Sequence, residues 1–450
     1  MRKYFFAFLF LLLAGNRLKS QVLPLREQAA VIDGLLAERL DSLLPRLMET
    51  TGIDMWVLIT REYNEDPVIK TMLPATWLSA RRRTILVFYN NPAKKQYEKL
   101  AIARYNVGQS IKAAWDMQKF PDQWDALNDL INSRNPKTIG LNYSTDFGHA
   151  DGLDYTEYKQ FTEKLSPSLK TKIVSAEKLA IAWLETRTTR EMEIYSQLID
   201  ISHHIIEEGF SGKVITPGIS TTEGVVWWFR QKISDMGLST WFHPTVDIQR
   251  NDPESFDHLR SFSNRPDDQI IRTGDLLHCD FGITYLRLNT DIQEHAYVLK
   301  AGETAAPESI RKAFSQANRL QDILTSRFGL GKTGNQLLAD ALAQAKKEGI
   351  QPSIYTHPIG FHGHAAGTTI GMWDMQNGVP GTGDYPMHAN TAYSIELNAA
   401  AQIPEWKKPV RIMLEEDGYF DGHVFRYIHG RQKEIYLVPR PMPAIELVIQ

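Results

Sequence analysis

At 450 residues the chain is too long for one ordinary hydrophobic core and calls for two domains. Its 43% hydrophobic and 23% charged content is that of a soluble globular protein, and a net charge of −3 argues against nucleic acid as the main partner. The single cysteine, Cys279, excludes an intramolecular disulfide, so stability must come from core packing.

Residues 1–20 differ in kind from the rest. Arg2 and Lys3 precede the apolar run FFAFLFLLLAG, which is about half the length needed to cross a bilayer. This reads as a secretory signal peptide cleaved near Ser20 or Gln21, with an uncleaved anchor as the alternative. The expected location is periplasmic or secreted, with no stable membrane insertion once the leader is gone. Removing its four basic residues, Arg2, Lys3, Arg17 and Lys19, takes the net charge from −3 to −7.

From residue 22 to 183 a helical stretch (REQAAVIDGLLAERLDSLLPRLMETTG) is followed by β-rich runs, DMWVLIT, RTILVFY and KTIGLNY. That alternation is α/β and predicts a smaller domain of its own. A new helix is predicted from Thr188, capped by its hydroxyl with Glu191 reaching back, and Ile194, Leu198, Ile201 and Ile205 share one face. His203 and His204 on that helix read as structural. TPGISTTEGVVWWFRQKI repeats the capping device with Ser220 and Glu223. Two more helical patterns, PESIRKAFSQANRLQDIL and TGNQLLADALAQAKKEG, lie among the β-like runs GDLLHCDFGI, HAYVLK, TAYSIELN and KEIYLVPR. Residues 184–450 therefore form an α+β domain, with helices covering a curved, mostly antiparallel sheet.

HCDFGITYLRLNTDIQEH places Asp280 and Asp291 eleven positions apart, which alone reads as a solvated strand and turn. The same domain carries more candidate ligands. His357, His362 and His364 stand among glycines in YTHPIGFHGHAAG. Glu396 sits in the apolar run YSIELN, where an unpartnered carboxylate is costly to bury. Glu415 and Glu416 end VRIMLEEDGYF. Two aspartates, one histidine and two glutamates form a hard, oxygen-rich set suited to two divalent cations sharing carboxylates, and hydrolysis is the natural reaction class.

The order of these residues resembles the pita-bread metallopeptidases, the group containing methionine aminopeptidase, aminopeptidase P and prolidase. DFG at 280–282 and TDIQ at 290–293 resemble its two aspartate elements, THPIG its metal-binding histidine, SIEL its glutamate and LEED its last bridging carboxylate. The resemblance implies a C-terminal pita-bread (creatinase/aminopeptidase-like) domain behind a smaller N-terminal one, as in the aminopeptidase P and prolidase branches. It also implies two divalent ions, Mn(II) favoured and Zn(II) or Co(II) acceptable, held by Asp280, Asp291, His357, Glu396 and Glu415. Glu396 becomes the proton acceptor for the attacking water. His364, and His258 with His243 as runner-up, steady the oxyanion and the departing nitrogen. The substrate implied is a small peptide with proline after the cleaved bond, and the resemblance allows a homodimer.

The match has departures. Gln293 and Glu294 stand where relatives often have Thr-Arg, Pro358 follows the ligand histidine in place of glycine, and Ser353 replaces a substrate-side histidine. Adjacent strand residues point to opposite faces, so Glu415 and Glu416 cannot both face the metals, and a rival alignment puts Gln432 in the last ligand position. A binding protein with a degraded metal site and a metal-free hydrolase like creatinase remain the alternatives.

Overall fold

The computed structural model describes residues 22–252 and 269–439. The leader and His258 lie outside the described residues. Among the described residues no helix is long and apolar enough to cross a membrane.

The N-terminal half opens with helices Leu25–Glu38 and Leu44–Thr51, joined by a π-helical turn at Arg39–Leu43 and ended by Gly52 at φ 71°. Six strands follow: β1 Met55–Arg61, β2 Arg83–Asn91, β3 Gln96–Ala101, β4 Lys112–Ala113, β5 Ile139–Leu141 and β6 Ile173–Ser175. They form one mixed sheet in the order β4-β3-β2-β1-β5-β6. β1 and β2 read as unbroken apolar runs because both faces are covered. Trp56, Leu58, Leu86 and Phe88 pack with Leu44, Met48 and Trp183, while Val57, Ile59, Ile85 and Val87 pack on the opposite face with Leu127, Ile131 and Phe161.

Helix Thr189–Gly209 begins as the sequence predicts. Thr188 Oγ1 accepts from Glu191 N at 3.2 Å, and Glu191 Oε2 accepts from Thr188 N at 2.8 Å. The next helix, Thr222–Asp235, corrects the expected cap: Thr221 Oγ1 accepts from Gly224 N. Ser220 instead closes the preceding turn, accepting from Thr216 N at 2.9 Å.

The remaining strands are β7 Thr245–Gln249, β8 Leu276–Phe281, β9 Thr284–Tyr285, β10 Leu288–Asn289, β11 Ile292–Val298, β12 Gln351–Ile354, β13 His357–Pro358, β14 Thr391–Ser394, β15 Leu397–Ile403, β16 Lys408–Leu414, β17 Asp417–Phe420, β18 Phe425–Tyr427 and β19 Tyr436–Val438. Their pairings are antiparallel except β11 with β19. Helix Glu308–Thr325 buries Ile310, Phe314, Ala317, Leu320 and Leu324, its one apolar stripe, together with Leu397, Val410 and Ile412 of the sheet.

Two joints in these strands position the site. TAYSIELN is two strands, broken at Ile395–Glu396, and the chain through Glu415 breaks in the same way between β16 and β17. Glu396 therefore lies at a bend and not in mid-strand, as the apolar run suggested. The two bends face each other through Ile395 N donating to Glu416 O at 2.9 Å, and Gln293 bridges β11 to Glu415 by backbone bonds of 3.1 and 3.3 Å.

A candidate metal centre at the strand joints

Four segments deliver the acidic side chains. Asp280 stands on β8 opposite Gln293, and Asp291 immediately precedes β11. Gly282 of the DFG element has to be glycine because a Cβ there would lie 2.3 Å from Thr290 O. The two chain segments can thus close together beside Asp291. Glu396 and Glu415 come from the facing bends, and His357 from β13.

These residues converge as two triads. Asp280, Asp291 and Glu415 offer ligand atoms within 4.8 Å of one another, as do His357, Glu396 and Glu415. Glu415 belongs to both. Burial, followed by repulsion from Glu415 and Asp280, holds the carboxyl groups of Asp291 and Glu396 well above the usual carboxylate range. Burial alone would raise Glu415 too, but His357, Ser394 and Gln293 outweigh it and pull its pKa down. At 4 Å two like charges repel by roughly 4 kcal/mol near a protein surface, so this cluster calls for added positive charge.

The imidazole is set up to help supply a ligand. His357 Nδ1 donates to Pro358 O at 3.0 Å, which turns Nε2 toward the carboxylates. Nε2 lies 3.7 Å from Asp291 Oδ2 and 3.5 Å from Glu415 Oε1, with no hydrogen-bond partner among the described residues. An imidazole nitrogen aimed at buried carboxylates, its other nitrogen bonded to a carbonyl, is an arrangement that suits a divalent cation. The donor set fits such an ion.

Surrounding groups hold the ligands in place, and sequence reasoning missed most of them. Ser394 Oγ is 2.7 Å from Glu415 Oε1, and Asp417 Oδ2 accepts from Asp291 N at 3.3 Å. Gln293 Nε2 donates to Glu415 Oε2 at 2.6 Å and to Glu396 Oε1 at 3.1 Å, while its Oε1 faces His278 Nε2 at 2.9 Å. The departure from Thr-Arg therefore has a structural use on the two glutamates. The register of Asp280 with Gln293 was the available signal.

The other predicted residues fall at different distances from the cluster. His364 packs edge-on to His357, ring centroids 4.7 Å apart, and beside Trp241 and Tyr355 at 5.2 and 5.7 Å. Its outer edge reaches solvent, yet burial of the ring and the neighbouring His357 push its pKa down to about 4. His362 instead stacks on His149 of the N-terminal half at 4.3 Å. His243 Nδ1 accepts from Arg230 at 3.0 Å and its ring lies 5.2 Å from that of Trp227, which ties it to helix Thr222–Asp235. Gln432 clamps the backbone of His295 by two bonds of 2.8 Å, and Glu434 is exposed. Glu416 turns to the opposite face of the sheet and meets His203 at 2.9 Å.

The profile of metallopeptidase family M24 matches residues 193–419, just over half the chain. The chain belongs to metallopeptidase family M24. The match spans all five proposed ligands and both strand joints, and it stops short of the N-terminal half. No curated protein matches the chain. Among solved structures, X-Pro aminopeptidase from Thermotoga maritima MSB8 superposes with a TM-score of 0.62 at 17% identity, covering 87% of this chain and 100% of that one. Xaa-Pro dipeptidase from Bacillus anthracis gives 0.56 at 17%, covering 89% and 99%, and prolidase from Pyrococcus furiosus gives 0.54 at 16%, covering 86% and 100%. These likenesses extend the shared fold to the N-terminal part, which the profile does not reach. The expected pita-bread fold with a preceding domain is the one found.

Proposed function

We propose that this M24 protein is an exported exopeptidase that hydrolyses the N-terminal peptide bond of small peptides with proline after that bond, as an aminopeptidase P or prolidase does. The observation that carries the reading is the pair of ligand triads sharing Glu415. Asp280, Asp291, His357, Glu396 and Glu415 would hold two divalent cations, Mn(II) favoured and Zn(II) or Co(II) acceptable to the single imidazole. When bound, such ions supply Lewis acidity and an activated water.

Glu396 takes the proton of the attacking water, its carboxylate aimed by Gln293. His364 at the mouth is neutral at pH 7 and donates one N–H to the oxygen or nitrogen on which charge develops. His258, outside the described residues, is assigned the same kind of role. Trp241 and Tyr355 beside His364 give a rigid apolar wall suited to a proline ring. The similar structures of an X-Pro aminopeptidase and an Xaa-Pro dipeptidase support the same specificity. Export rests on the leader, and a homodimer is part of the proposal.

The test is metal per protomer together with cleavage of an Xaa-Pro dipeptide and a longer Xaa-Pro peptide, before and after chelation. About two ions and chelator-sensitive cleavage are expected, and the preferred length separates the prolidase from the aminopeptidase P type. Protein that stays inactive after Mn(II), Zn(II) or Co(II) is restored refutes the assignment in favour of a binding role.

A further inference from the structure

The back of the same sheet carries a second polar cluster. Alternation along the strands sends Glu294 and Glu416 to the side opposite Gln293 and Glu415, where they meet His203 of helix Thr189–Gly209. His203 Nε2 lies 2.9 Å from Glu416 Oε2, and Tyr436 Oη donates to Glu294 Oε1 at 3.3 Å. One ligand atom from each of His203, Glu294 and Glu416 falls within 4.8 Å of the others.

Both carboxyl groups are only 1% exposed. Each also leaves one oxygen, Glu294 Oε2 and Glu416 Oε1, with no hydrogen-bond partner among the described residues. Two buried carboxylates with orphan oxygens are costly. A protonated His203 pairs with Glu416 through Nε2 and does nothing for either orphan oxygen. A divalent cation with metal–ligand distances of about 2.0–2.2 Å, and hence neighbouring ligands roughly 3 Å apart, can take the imidazole and both carboxylates at once.

The cluster also has an opening. The His203 side chain is 18% exposed, with the His429 ring 6.1 Å from its own and Asp200 3.2 Å from His429 Nε2. An ion can reach it from solvent along the outer face of the helix.

We infer that His203, Glu294 and Glu416 form a separate divalent-cation site that ties helix Thr189–Gly209 to the strands carrying Asp291 and Glu415. Its donors, one imidazole and two carboxylates, suit Mn(II) or Zn(II). Glu294 supplies the second buried carboxylate, without which only His203 and Glu416 would face each other. The site does not depend on peptidase activity or on the number of ions at the front.

Crystals of the purified protein equilibrated with Mn(II) alone, measured near the manganese edge, should give an anomalous peak between His203 Nε2 and the two carboxylates. In solution, Glu294→Gln and His203→Gln should each bind one Mn(II) fewer per protomer than wild type after equilibrium dialysis, with circular dichroism unchanged. If Glu294→Gln fails to fold, His203→Gln at the solvent edge and the wild-type anomalous map still decide. An empty map at this position with equal metal content in wild type and His203→Gln overturns the site and leaves a protonated His203 as its only cation.

Discussion

Gln293→Ala should weaken cation binding at the proposed metal cluster about tenfold. Ionised carboxylates only accept hydrogen bonds, so the amide nitrogen of Gln293 faces Glu415 and Glu396, and its oxygen faces His278, whose Nε2 must carry a proton. Removal of the amide frees the two glutamates unequally. Ser394 still holds Glu415 through its other oxygen at 2.7 Å. Glu396 loses its only side-chain hydrogen-bond partner among the described residues, the amide 3.1 Å away. Freezing a glutamate side chain costs up to about 1.5–2 kcal/mol, so re-ordering Glu396 on each binding event costs about 1–2 kcal/mol, or roughly tenfold in affinity. That lies at the lower edge of the ~10–100-fold losses typical when a group supporting a ligand is removed. The assay is titration of the apo protein with Mn(II), followed calorimetrically, for wild type, Gln293→Ala, His278→Ala and the double variant. His278 acts through the amide, so His278→Ala should lose less than Gln293→Ala and the double variant no more. Unchanged affinity in a folded Gln293→Ala protein, or additive losses in the double variant, would refute the reasoning.

Glu396→Gln should abolish peptide hydrolysis while leaving the circular dichroism spectrum unchanged; retained turnover removes Glu396 from the proton-accepting role. Arg39→Met should destabilise the fold by about 3 kcal/mol in chemical denaturation, because it leaves buried Glu191 without its 2.9 Å partner and Arg187, at 3.6 Å, only partly replaces it. Stability should fall as pH rises above about 6.5. The bond from His388 to buried Glu185 at 2.9 Å raises the histidine's pKa, so the pair's contribution is complete below the unfolded value and is lost as pH climbs through the folded one. Thermal unfolding from pH 6 to 9 should show this slope, and His388→Gln should flatten it.

Asp280, Asp291, His357, Glu396 and Glu415 were picked out by residue type and order along the chain, and the structure brings their side chains together. What the sequence hid was geometry between distant segments. TAYSIELN has neither glycine nor proline at Ile395–Glu396, so nothing in it marks the bend that brings Glu396 to the cluster. Alternation said that Glu415 and Glu416 could not share a face; the structure turns Glu415 to Gln293 and Glu416 to His203. The rival place for Gln432 came from matching GRQKEIYLV to the relatives' final strand; that strand is Tyr436–Val438, paired parallel with β11, and Gln432 lies outside it on the His295 backbone. The stacking of His149 on His362 joins residues more than two hundred positions apart. No local pattern announces such a contact.

Two adjacent pairs, Gln293–Glu294 and Glu415–Glu416, show how one sheet serves both faces. On the front, Gln293 and Glu415 belong to the ligand cluster; on the back, Glu294 and Glu416 meet a helix. Because strand neighbours point to opposite sides, the backbone that sets the spacing of one cluster also sets that of the other. A shift of β11 against β16 large enough to spoil the rear cluster would move Asp291 and Glu415 together. Two buried carboxylates on the rear face, Glu294 and Glu416, call for positive charge beside them. His203 is the group placed to bring it, as an imidazolium or as a ligand.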